Sequence, residues 1–392
     1  MSRLNPRKRL TGVAAAAAGA FALLSAVSVP AAAAEVSIFG TVDTFIAVQN
    51  TQGDVSTALM SGGLSPTHVG IEGSEELGNG LEVFFKLDSA VLSDEGQYPA
   101  AADGRLFNRE AALGLRGSFG ELSFGRLYMP HFLTFIIYDP NGLSIGSSDG
   151  GFFFPGPHST CGDTGNLVRA DNSVSWVLPT SFGLTNFFFA SLGENQKADG
   201  STSSTRGNVY NYAAKLDRGP FSGMASFLWE DGAEGLAGSA RAGEKYDAKY
   251  LSVAANYDLG FTRPVIEYVK KWGSAEHGSS TFWMVQLGTA TPVAGGTWTV
   301  TGSYLKNETR DDADAWGLGT KFIYPLSKRT SVYTGMVAVF NGDNSGYVPE
   351  AGTDSSLHFN YDASNMIGGT GYGTDYLGKN VQAFFVGMKH DF

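Results

Sequence analysis

From Glu35 onward the chain repeats one pattern, segments of about ten residues in which apolar and polar side chains alternate. Leu81, Val83, Phe85 and Leu87 fall on one face of an extended segment, and Glu82, Phe84, Lys86 and Asp88 on the other. Val69 and Ile71 oppose His68 and Glu72, and Val174, Trp176 and Leu178 oppose Ser173 and Ser175. Phe384, Val386 and Met388 keep the same phase close to the C-terminus. A period of two is the signature of a strand with two unlike faces. Helical periodicity is missing, and beyond the first 34 residues no run of 18 apolar residues exists, so a helical membrane span is excluded.

The connections carry a second signal. Short turns at 76–78, 118–119, 180–182, 217–219, 259–261, 292–295 and 325–328 alternate with longer polar connections. The longer ones fall at 49–65, 91–104, 129–168, 194–205, 232–244, 273–279, 309–312 and 342–379. Long and short connections on opposite sides, with both termini on the short side, fit an all-β fold. It is a transmembrane antiparallel up-and-down β-barrel of about 16 strands in an outer membrane. A secreted sandwich with one wet face would also alternate, but it has no reason to sort its connections by side. Aromatic residues near segment ends (Trp176, Trp229, Tyr257, Tyr268, Trp272, Tyr304, Trp316 and Tyr324) match the two interfacial girdles of such a barrel.

The first 34 residues are of another kind. Arg3, Arg7, Lys8 and Arg9 precede the apolar run Val13–Leu24 and a small-residue stretch ending at Ala34. This is the pattern of a cleavable secretory signal, with 35–392 as the barrel domain. Removing those four cations from 27 Lys+Arg, against 38 Asp+Glu, takes the formal charge from −11 to −15. An acidic chain argues against nucleic acid as a partner. Cys161 is the single cysteine, and the six histidines form no HExxH tract, so no metal or other cofactor is expected. The bland reading of Cys161 is an unpaired, partly buried thiol. No GxSxG or comparable nucleophile motif occurs, so an enzyme is not expected.

At this level the chain resembles the Gram-negative general porins, particularly the trimeric 16-stranded type of β-proteobacteria. The opening EVSIFGTVDTFIAV is similar to the family's first strand, with Phe39 where tyrosine is usual. THVGIEGSEELGNGLEVFFKLD resembles the second hairpin, LFNREAALGLRGSFGELSFGR the fourth and fifth strands, and RADNSVSW the sixth. Phe392 stands where the family carries its assembly signal, although His390 replaces a customary aromatic. The resemblance implies a homotrimer in contact with outer-membrane lipid and lipopolysaccharide, passing small hydrophilic solutes and ions. The other reading is a barrel that serves mainly as an adhesin or surface receptor through its long loops.

A lumen of this width does not select unless something narrows it. The connection 129–168 is too long for a passive turn and carries the apolar patches Phe132–Ile137 and Phe152–Phe154. The resemblance places the family's constriction loop, its third long loop, in this span. Carried over residue by residue, the basic wall of the constriction is His68, Arg109, Arg126 and Arg169. Its loop acids are Asp139, Asp149 and Asp163. His68 stands where arginine is usual, so an imidazole replaces a guanidinium, whose charge is permanent. Parity aims His68 and Arg169 inward. Arg109 is in phase with Leu113 and Leu115, and Arg126 with Leu122 and Phe124, so strict alternation aims both outward unless a bulge or a subunit interface intervenes.

Overall fold

The computed structural model describes residues 35–98, 105–149, 168–193, 208–234, 245–273, 281–351, 355–356 and 376–392. The leader, Cys161 and Asp163 lie outside them. Seventeen segments form one antiparallel sheet. The first are β1 (Glu35–Thr51), β2 (Asp54–Ser61), β3 (His68–Gly78), β4 (Leu81–Ala90), β5 (Glu110–Gly117) and β6 (Gly120–Tyr128). A helix, α1 (Pro130–Tyr138), separates these from β7 (Arg169–Val177), β8 (Leu184–Ser191), β9 (Asn208–Arg218) and β10 (Phe221–Glu234). Then follow β11 (Lys245–Tyr257), β12 (Arg263–Gly273), β13 (Phe282–Val293), β14 (Gly296–Asn307), β15 (Ala315–Pro325) and β16 (Thr330–Asn341). A two-stranded ribbon, β17 (Glu350–Ala351) with β18 (Ser355–Ser356), stands outside the ring, and β19 (Val381–Asp391) completes it.

Consecutive strands pair as hairpins, and β19 closes the ring by pairing with both β16 and β1. β1 pairs along one edge with β2 over Thr44–Thr51 and with β3 over Glu35–Thr41. Thus β2 and β3 are two halves of one interrupted strand, and the barrel has sixteen staves. The span 49–65 reads in the sequence as a single long connection; instead β1 continues to Thr51 and turns straight into β2. Gln52 (φ 49°) and Gly53 (φ 106°) form a two-residue turn with both φ positive, the geometry that matches strand twist in a tight hairpin. Asn50 Oδ1 accepts the Gly53 N–H at 2.8 Å. Asn-Gly and Asp-Gly are the usual marks of this turn, and Gln-Gly gives no such warning.

The two faces separate as the alternation requires. Val69, Leu113, Phe124, Val174, Leu287, Val300 and Leu318 are exposed on the outside, among the girdle residues Trp176, Trp229, Tyr257, Trp272, Trp316 and Tyr324. Their neighbours Ser173, Asn211, Ser252, Gln286, Thr299 and Thr301 point inward and are buried. Among the described residues, no helix is long and apolar enough to cross a membrane. Spanning hydrocarbon with strands demands a closed ladder, because an open edge leaves backbone groups without partners.

The last residue takes part in that closure. Gly40 donates its N–H to the Phe392 carbonyl at 3.2 Å, and Phe392 returns one to Gly40 at 3.0 Å. A Cβ on Gly40 would lie 2.5 Å from both the His68 carbonyl and the Phe392 ring. Gly40→Leu is therefore expected to weaken the seam by about 1–3 kcal/mol. It should lower the temperature at which the folded band converts to the unfolded one in semi-native electrophoresis. Val42→Leu, on an exposed site of the same strand, should leave that temperature unchanged.

Candidate functional site

The longest connection folds inward from its root. Met129 N–H bonds the Val168 carbonyl at 3.0 Å, holding the two ends of the span together beyond β6 and β7. Pro130 then starts α1, where its fixed φ suits the first turn and its missing N–H has no helical partner to lose. Asp139 ends the helix. Its carboxylate accepts the N–H groups of Asn141 at 3.0 Å and Leu143 at 2.6 Å. The helix packs against β8 to β12 through residues that alternate with outward-facing ones. His131 N–H donates to Asn211 Oδ1 at 2.6 Å, His131 Nδ1 lies 3.2 Å from Ser252 Oγ, and the Tyr138 hydroxyl lies 2.8 Å from Ser222 Oγ. Full burial lowers the pKa of His131 to about 3, so its ring is neutral.

Beyond the helix, residues 141–149 run along β13, β14 and β15. Thr299 Oγ1 donates to Asn141 Oδ1 at 2.5 Å, Ser148 Oγ to Gln286 Oε1 at 2.8 Å, and Ser303 Oγ to the Ser148 carbonyl at 2.7 Å. The Lys321 ammonium reaches Ser144 Oγ at 2.5 Å and the Asn141 carbonyl at 3.3 Å. The approach is so close that a Cβ on Gly317 would overlap the Ser148 carbonyl, and one on Gly319 the Gly146 carbonyl. Glycine at both positions lets backbone lie on backbone.

Two of the three loop acids named from the sequence sit in this contact. Asp139 is 4% exposed and Asp149 0%. Gln286 Nε2 donates to Asp139 Oδ1 and to Glu267 Oε2, each at 3.3 Å, and Ser147 Oγ donates to Asp149 Oδ1 at 2.5 Å. Burial raises the pKa of both loop acids, and for Asp149, where the charge of Asp139 adds to it, the value reaches about 8. The two loop acids lie in one desolvated pocket, where their like charges disfavour joint ionisation.

The basic residues gather on the other side, about β3 to β7. Asp88 accepts from His68 Nδ1 at 2.8 Å with one oxygen and from Arg109 Nε at 3.1 Å with the other. The Tyr128 hydroxyl joins Arg109 at 3.0 Å to Arg169 at 2.7 Å, and the Arg169 guanidinium lies 4.5 Å over the Tyr128 ring. Gly70 and Asp88 pair across β3 and β4, opposite in phase to the outward Ile71 and Leu87, so the group around Asp88 faces the lumen. Arg109 escapes the alternation because it precedes β5, which begins at Glu110. At Arg126 the register shifts: β6 advances from Gly125 to Leu127 while β7 advances from Ser173 to Ala170. The extra residue is accommodated at Asn172, with φ of 52°. Arg126 bonds Asp171 at 2.6 Å and the Asn108 carbonyl at 2.7 Å.

Several residues of this arrangement are not apparent from composition or spacing. Asp88 is on the polar face of its strand, but nothing in the sequence marks it as the carboxylate shared by His68 and Arg109. Arg105, which joins Arg126 on Asp171 at 3.2 Å, lies in a connection. Glu267 and Lys321 are inward by parity, but the sequence does not show that the docked loop brings Asp149 to Glu267 and Asn141 and Ser144 to Lys321.

Comparison with known proteins agrees with this geometry. A family model described as Gram-negative porin matches residues 14–345. Outer membrane porin protein 32 of Delftia acidovorans is 29% identical over 331 residues, 83% of this chain and 90% of that protein. An outer membrane porin protein of Bordetella pertussis is 30% identical over 178 residues, 41% of this chain and 44% of its own. Among solved structures, the anion-selective porin from Comamonas acidovorans superposes with a TM-score of 0.75 at 24% identity, covering 92% of this chain and all of that one.

The buried loop acids make docking sensitive to pH. An undocked Asp149 ionises at the ordinary carboxylate value of 3.8, whereas the docked group holds its proton to about 8. The docked state is therefore favoured most below pH 4 and loses that advantage progressively as pH rises to about 8; above that both states are ionised and the effect levels off. Open-channel current noise in planar bilayers should rise across this window. In Asp149→Asn the rise should be largely absent.

Proposed function

The chain belongs to the Gram-negative porin family, whose members are outer-membrane diffusion channels, and from that premise we propose how this channel selects. The loop from Met129 to Asp149 narrows the lumen, and the wall bearing His68, Arg109 and Arg169, the arginines themselves largely buried, sets the field that passing solutes cross. Arg126 contributes through the Asp171 pair at the edge of that wall. Phe392 acts in assembly, residues 1–34 are a cleavable leader, and the working unit is a homotrimer. The reading is of a channel and not an enzyme.

One observation carries the preference for small anions: the loop acids Asp139 and Asp149 turn to the far wall and are buried there, so they do not offset the guanidinium groups across the opening. Asp88 offsets part of the basic charge, shared as it is between His68 and Arg109. The formal charge of the whole chain is negative, but screening confines it to within about 8 Å of its sources, so the residues lining the narrowest point dominate. The anion-selective porin of Comamonas acidovorans shows that this fold accommodates such a preference.

Reversal potentials in a salt gradient test the reading. A unit charge at about 4 Å in water is worth ~1 kcal/mol, close to a fivefold change in relative permeability. Arg109→Gln and Arg169→Gln should each move the channel toward cations by up to that factor, and His68→Arg should move it toward anions. Unchanged potentials in all three would overturn the assignment. Deleting residues 141–149 should raise unit conductance severalfold in channels that still assemble.

A further inference from the structure

The interruption between β2 and β3 is not accounted for by the channel described so far. Ser61 pairs with Thr44 and His68 with Thr41, so six residues, Gly62 to Thr67, stand opposite only Val42 and Asp43. A ladder cannot hold six residues against two, and the excess must leave the sheet. It leaves inward. The Gly63 carbonyl accepts the N–H of Ile145, in the docked segment 141–149, at 2.8 Å. Leu64 packs with Phe45, Ile145, Tyr333 and Phe385 in one apolar cluster.

Asp43 organises this excursion. It is fully buried, and its Oδ2 accepts the N–H groups of Leu64 at 2.7 Å and Ser65 at 2.8 Å. Its Oδ1 accepts the Tyr333 hydroxyl at 2.5 Å, across the intervening β19. Its backbone exchanges bonds with Thr67 Oγ1, at 3.0 Å and 2.9 Å, and its carbonyl also accepts the Gly62 N–H at 2.9 Å. A carboxylate holding two successive backbone N–H groups fixes the local path of the chain as a helix cap does.

We propose that Gly62–Thr67 is a socket built into the barrel wall for the segment of the lumenal loop around Ile145, and that Asp43 is the positioning residue that shapes it. Asp43 acts on permeation at second hand: it places Gly63 and Leu64, which place Ile145, which sets how far the loop stands from the basic wall. Without the socket, residues 141–149 keep their polar contacts with β13, β14 and β15 but lose the stop that holds Ile145 beside β1. The inference rests on the reading that this loop narrows the pore.

The test is single-channel recording on the full-length protein in planar bilayers, with Asp43→Asn, Tyr333→Phe and Ile145→Gly. Asp43→Asn keeps the side chain's size and one oxygen for the Leu64 and Ser65 N–H groups, but it removes the charge that strengthens those bonds and sets an amide N–H against the Tyr333 hydroxyl. Open-channel noise and occupancy of conductance substates should rise severalfold in Asp43→Asn and Ile145→Gly, and less in Tyr333→Phe. The double variant Asp43→Asn/Ile145→Gly should be no noisier than either single one, because both break one chain of contacts. The heat conversion of the folded band, read on the same preparations, separates positioning from stability. A lowered conversion temperature with quiet, parent-like currents would overturn the proposal, leaving Asp43 a structural group only. Quiet Asp43→Asn channels together with a conductance change on deleting residues 141–149 would refute the socket and leave the constriction standing. If that deletion is silent too, the constriction reading itself falls.

Discussion

Everything in this molecule depends on a backbone that must find its own hydrogen-bond partners, because a hydrocarbon layer supplies none. A strand crossing such a layer needs a neighbour on each side, and only a closed ring gives every strand two. Closure through β1 and β19 is therefore a condition for the other pairings to persist in a membrane, and the paired amides of Gly40 and Phe392 lie at its seam. Once the ring is closed, alternation does the sorting. Odd and even positions face different solvents, and polar residues that a soluble sheet would show to bulk water here face the lumen.

How much of this is legible in the sequence follows from what alternation records. It reports the two faces of a strand, so the strands, their phase and the side of each turn can be read from residues such as Leu81–Asp88 and Val174–Leu178. It reports nothing about irregular backbone. The hairpin at Gln52-Gly53 escapes notice because its turn residues are uncharacteristic, and α1 does so because Phe132–Ile137 reads equally as an apolar loop patch. Arg109 and Arg126 show the same boundary. Parity aims both outward, and what decides their contacts is the start of β5 and the shift at Asn172, neither of which a period of two contains.

The acids mark a different limit. Asp139 and Asp149 can be named as loop carboxylates but not oriented, because orientation depends on which wall the loop meets. The structure places them beside Glu267 and Gln286, where they act as polar attachment points. Burying them is tolerable because most of their oxygens accept hydrogen bonds and because protons reduce the charge. A loop attached by such groups is held firmly under some conditions and less so under others, unlike one attached by leucines.

The docked loop also divides the inner surface into two unlike parts. Along β9 to β15 the inward side chains are covered by α1 and residues 141–149, so Asn211, Ser252, Gln286, Thr299 and Lys321 touch protein and not permeant solute. On the wall of β3 to β7 the inward Asp88, Arg109 and Arg169 are buried as well, tied by hydrogen bonds to one another and to Tyr128. Substitutions made at equivalent depths on the two sides would act through different physics: on one they alter the charge of the basic cluster, on the other they alter the footing of the loop. An effort to retune this channel would begin on the arc of β3 to β7, because along β9 to β15 the wall is the foundation of the loop.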